Sequence, residues 1–175
     1  MRDRSSLKKI AVCGVFVALS AVTGLLESFL PLELLIPLPG VKLGIANIFI
    51  TAAYYVLGPV YAFAAALLKV IIVFLFSGNS VSLALSASGA AMSFVALMIS
   101  MRTYGKVFSF IGISVLSAVF HGMGQALAAL LIIGSPILFY IPVLGAASAV
   151  TGALTGVLMN LIILNINSYL KSKVL

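Results

Sequence analysis

Six apolar runs divide the chain, separated by short clusters of proline, glycine and polar residues. The first covers about residues 10–30 and follows the polar stretch Met1-Arg-Asp-Arg-Ser-Ser-Leu-Lys-Lys9. The others cover about 43–57, 60–76, 81–101, 107–133 and 137–167. Gly58-Pro59, Ser77-Gly-Asn-Ser80, Arg102-Thr-Tyr-Gly-Lys106 and Gly134-Ser-Pro136 stand between them, and such clusters punctuate helices as turns. A helix crosses the hydrocarbon core with about 20 apolar residues, so the runs read as membrane-spanning helices, the second of them short. The first run is longer than the apolar core of a signal peptide, and further spans follow it. The last is long enough to tilt, or to kink at Pro142. Between the first two runs, Pro31-Leu-Glu-Leu-Leu-Ile-Pro-Leu-Pro-Gly-Val-Lys42 carries three prolines within nine residues. No regular helix tolerates that. The stretch is nevertheless apolar, so it is expected to lie on the membrane surface or to fold over a pocket.

Composition strengthens this picture. Hydrophobic residues make up 63% of the 175 positions and charged residues 7%, against roughly 45–50% and 25% in soluble domains. That excludes a soluble globular enzyme, a disordered chain and a disulfide scaffold. The expected fold is an all-α integral membrane protein, with one transmembrane domain of six helices over residues 1–175. Cys13 is the single cysteine, so no internal disulfide forms.

Charge then sets the topology. Arg2, Arg4, Lys8 and Lys9 precede the first span, Arg102 and Lys106 lie between the fourth and fifth, and Lys171 and Lys173 follow the sixth. With six spans, all three groups fall on one face, which the positive-inside rule makes cytoplasmic. A multi-pass protein of the cell membrane with both termini cytoplasmic follows. The net charge of +7 then reflects topology and implies no nucleic-acid partner.

Lys42 and Lys69 escape that explanation, and they fall on the side where other polar residues gather. Polar side chains inside a bilayer are costly and mark function by default. Glu27, Asn47, Asn79, Ser80, His121 and Gln125 join the two lysines in the outer half. His121 and Gln125 share a helix face. His121 reads as a hydrogen-bonded bundle residue, a ligand contact or a proton relay. Lys69 reads as the partner of Glu27 or Glu33, or, with Lys42, as the contact for an anionic ligand group. Small residues four apart (Gly14 and Ala18, Ser20 and Gly24, Gly145 with Ala149 and Ala153, Gly152 and Gly156) let helices approach closely. They serve packing within the bundle or, on the first helix, contact with another membrane subunit.

The stretch Pro37-Leu-Pro-Gly-Val-Lys-Leu-Gly-Ile-Ala-Asn47, the basic Lys69 and His121-Gly-Met-Gly-Gln125 resemble the Gx transporter family, also named heptaprenyl diphosphate synthase component I. That family is similar to the substrate-binding S components of energy-coupling factor transporters. The resemblance covers nearly the whole chain. It implies a six-helix S-component fold with a ligand near the outer face, under the loop after the first helix. It also implies docking, largely through the first helix, onto a transmembrane coupling protein with two ATPase subunits. Lys42, Asn47, Lys69, Asn79, His121 and Gln125 are the expected substrate-binding residues, and Gly14 and Ala18 the expected docking residues. Lys69, where the family more often carries arginine, keeps the charge but loses the planar fork.

Three functions compete. The first is substrate capture for an ATP-driven uptake transporter of a small anionic or amphiphilic molecule, such as a vitamin or an isoprenoid or quinone precursor. The chain has no Gly-x-x-x-x-Gly-Lys-Ser/Thr loop, so its ATPase must be a partner. The second is a non-catalytic membrane component of prenyl diphosphate or quinone synthesis. Such chemistry holds Mg²⁺ on clustered carboxylates, and Asp3, Glu27 and Glu33 are the only acids. No catalytic residue, metal site or cofactor is expected. The third is a stand-alone secondary transporter working through His121 and Lys69, for which no inverted repeat is visible.

Overall fold

The structure is a computed structural model that describes residues 2–30 and 41–174, with side chains described over 6–30 and 41–165. Glu33 and the expected proline-rich cover at 31–40 lie outside the described residues. Helix α1 runs Arg2–Ser28, α2 Asn47–Leu57, α3 Pro59–Ser77, α4 Ser80–Met101 and α5 Phe110–Ile133. A 3₁₀ segment, Ser135–Tyr140, leads into α6, Ile141–Val174. All are helices, as expected of a multi-pass membrane protein.

Capping chemistry sets the boundaries. The Asn79 side chain accepts a hydrogen bond from the Ser82 amide at 3.0 Å and starts α4. Ser109 does the same for Gly112 at 3.3 Å, so α5 begins at Phe110 rather than at residue 107. These caps satisfy amides that a helix start leaves free. Pro142 sits in the first turn of α6, where a missing N–H costs nothing. Of the two alternatives for this run, a tilt or a kink at Pro142, the second gives way to a helix start.

Five helices among the described residues are long and apolar enough to cross a membrane. The sixth, α2, has 11 residues and is about 16 Å long, roughly half of a hydrocarbon core. It starts at Asn47 rather than at residue 43 because Val41–Ala46 is not helical. Gly44 there adopts φ 82°, a left-handed conformation that glycine tolerates and a helix does not. Val41, Lys42 and Ala46 are nonetheless buried.

Packing follows the small residues. Gly124 of α5 lies on the backbone of Ser88 and Gly89 in α4, where an added Cβ would come within 2.5 Å of the Ser88 carbonyl oxygen. Gly152 and Gly156 of α6 lie on the α5 backbone at Val115 and Ile111. On α1, Gly24 packs toward Val73 and Ala46, while Gly14 and Ala18 face outward. Helices α1 and α3 run parallel, since Cys13 reaches the Tyr61 carbonyl and Gly24 reaches Val73. The α4–α5 and α5–α6 pairs run antiparallel. The starts of α1, α3 and α5 thus share one end with the finishes of α2, α4 and α6. The eight basic residues assigned to one face all belong to that end.

Gly124→Ala is expected to destabilise the detergent-solubilised protein by about 1–3 kcal/mol, the usual cost of overpacking. Gly14→Ala, whose Cβ meets nothing within 4 Å, should leave the unfolding midpoint in place. Thermal unfolding of the two variants side by side checks this.

Candidate functional site

The non-helical segment Val41–Ala46 organises the site, because its backbone groups must find partners inside the bundle. Gln125 of α5 supplies two. Its Oε1 accepts from the Lys42 amide at 2.9 Å, and its Nε2 donates to the Lys42 carbonyl at 2.7 Å. One primary amide thus mimics a rung of a β-ladder. At the other end of the segment, Glu27 of α1 accepts from the Ala46 amide at 3.2 Å, and the Ile45 amide also faces this carboxylate. These N–H groups stand at the start of α2, which has no side-chain cap of its own. Glu27 therefore places a carboxyl oxygen, as acceptor, at the positive end of that helix.

A chain of side chains continues inward. Lys69 of α3 donates from Nζ to Asn47 Oδ1 at 2.9 Å, and Asn47 Nδ2 lies 3.3 Å from His121 Nδ1. An ammonium only donates, so it fixes the Asn47 amide with its oxygen toward Lys69 and its NH₂ toward His121. His121 Nδ1 must then accept, which makes the ring neutral with its proton on Nε2. That nitrogen is buried with no partner in hydrogen-bonding geometry among the described residues. The ring is held between Gly44 and Gly89. At Gly89 an added Cβ would come within 2.7 Å of the ring.

Above this network lies a cavity of about 370 Å³ among the described residues. Glu27, Lys42, Asn79 and Ser82 give it a polar side, and Leu25, Phe29, Val41 and Phe76 an apolar one. It sits at the α1 and α3 finishes and the α4 start, opposite the basic end. Burial pushes the Lys42 ammonium down to about 8, nearby Lys69 pushes the same way, and Glu27 opposes both.

Five of the six expected substrate-binding residues meet in this arrangement: Lys42, Asn47, Lys69, His121 and Gln125. Lys42 lines the cavity, while buried Lys69, His121 and Gln125 and half-buried Asn47 form the support beside it. Asn79 caps α4 at the exposed rim and does not join the network. Glu27, Gly44 and Gly89 are central but were not among the expected site residues. For Glu27 the available signal was an acid inside an apolar run. Among the described residues, no cluster of three or more histidines, cysteines or acids could hold a metal ion.

A family model described as heptaprenyl diphosphate synthase component I matches residues 16–162. No curated protein and no solved structure matches the chain.

Proposed function

We propose, from the premise that the chain belongs to the heptaprenyl diphosphate synthase component I family, that it is the substrate-binding membrane subunit of an energy-coupling-factor-type uptake transporter. The word component in that description implies a partner subunit. The observation that carries the reading is the half-polar cavity over a Lys69–Asn47–His121 chain whose lysine and histidine are buried. A bundle built only to span lipid does not retain such a costly network. The cavity opens on the outer side, and the basic end, with the α1 start and the α6 finish, lies in the cytoplasm.

The energy comes from a transmembrane coupling protein and two ATPase subunits. The outward Gly14–Ala18 face of α1 supports their docking, since small residues admit a neighbouring helix closely. Gly14→Leu with Ala18→Leu should abolish co-purification with the coupling protein and leave folding intact. Loss of folding, or unchanged co-purification, would remove α1 as the docking helix. The deciding experiment for the function identifies a small molecule retained on gentle purification by mass spectrometry and then follows its uptake into vesicles. Accumulation that needs ATP and both partners supports the reading; accumulation by the purified chain alone refutes it.

A second reading takes the family description literally: a non-catalytic membrane component working beside a prenyl diphosphate synthase. Chain-elongation activity that rises when this chain is added to a partner synthase, with no ATP-driven uptake, would favour it.

A further inference from the structure

The charges around the cavity restrict what it can hold. Lys42 and Glu27 line it, and Lys69 lies close enough to act on both through space. The neutral tautomer that Asn47 imposes on His121 adds no charge. With all three ionised, two lysines and one glutamate sum to one net positive charge, which matches a single anionic group. Residues 31–40 join the lining residues Leu30 and Val41, and they carry Glu33 and no basic residue. Wherever they lie, they cannot add a positive charge. The remaining basic residues stand at the opposite end; Lys8, for instance, lies about 28 Å from Glu27 along α1.

We propose that this cavity takes an amphiphile with a single negative charge, of the carboxylate kind, and rejects a prenyl diphosphate. This rests on the reading of the cavity as the ligand site and deepens it. A diphosphate carries more than one negative charge. Buried without matching cations or a metal, that charge is costly. Magnesium could screen it only through carboxylates. The chain's three acids are one in the N-terminal stretch, one capping α2 and one in residues 31–40. The apolar side, with Phe29 and Phe76, suits a short hydrocarbon or ring. A volume of about 370 Å³ lies at the low end for small-molecule sites.

The test uses three probes with one hydrocarbon: geranic acid, geranyl diphosphate and geraniol, each titrated onto the purified full chain in detergent. Geranic acid is expected to bind at least about ten-fold more tightly than either other probe. Its binding should weaken as the pH rises past about 8, where Lys42 loses its proton; Lys69 and Glu27 are the charged groups facing it. Lys42→Met should abolish the preference for the acid and Lys42→Arg should restore it. Tighter binding of geranyl diphosphate, lost in Lys42→Met, would overturn the single-charge inference and leave the cavity standing as the ligand site. Equal binding of all three probes, or none, unaffected by Lys42→Met, would overturn the reading of the cavity itself.

Discussion

Gln125→Leu is expected to release the Val41–Ala46 segment and to lower stability strongly. The side chain holds the Lys42 amide and carbonyl at 2.9 and 2.7 Å, and leucine can hold neither. Each buried polar group left unpaired costs about 1–3 kcal/mol, so the sum is roughly 2–6 kcal/mol before relaxation. Gln125→Glu keeps an acceptor for the Lys42 amide and loses the donor to its carbonyl, so it should fall between wild type and Gln125→Leu. Hydrogen exchange supplies the local readout. The Lys42 amide should exchange much faster in Gln125→Leu, while amides in the α3 interior should change little. If the leucine variant matches wild type in both unfolding midpoint and exchange, the clamp does not hold the segment. Because Val41 and Lys42 line the cavity, the same variant should also lose any retained ligand.

Periodicity and punctuation carried the architecture, because a span is a local property of its own residues. Helix number, order and most boundaries can be read from apolar runs between Gly58-Pro59, Asn79 and Gly134. The errors lie where distant parts of the chain decide. The start of α2 moved to Asn47 because Gly44 turns against the His121 ring, and Glu27 caps the helix from 19 residues away in sequence. Neither contact leaves a mark in the local pattern. The spacing of His121 and Gln125 put them on one face, but not their separate tasks: one accepts from a side chain, the other clamps a backbone. The small pairs of α1 are alike in sequence, yet Ser20 and Gly24 turn inward while Gly14 and Ala18 turn outward. Only packing against α3 separates them. Gly89 is silent in sequence for the same reason: its use is the room it leaves for a ring on α5.

Asn47→Leu is the second large effect, and it asks whether the Lys69–Asn47–His121 chain serves stability or ligand binding. It removes the acceptor for Lys69 Nζ at 2.9 Å and the donor facing His121 Nδ1. Losing a hydrogen bond to a charged group costs about 1.5–3 kcal/mol, and a charge left without its partner in the interior can cost about 3–5 kcal/mol. The unfolding midpoint should drop by several degrees, at about 2–4 °C per kcal/mol for a chain of this length. Adding Lys69→Met to Asn47→Leu removes the stranded ammonium, so the double variant should be more stable than Asn47→Leu alone. That ordering follows because replacing both members of a buried polar pair is far less costly than orphaning one. A double variant less stable than the single one would mean that Lys69 is held mainly by Glu27, through space, rather than by Asn47. Ligand retention separates the two roles. Restored stability with no restored binding places Lys69 and Asn47 in the ligand's support. Recovery of both would leave Lys42 as the one lysine whose charge the ligand needs.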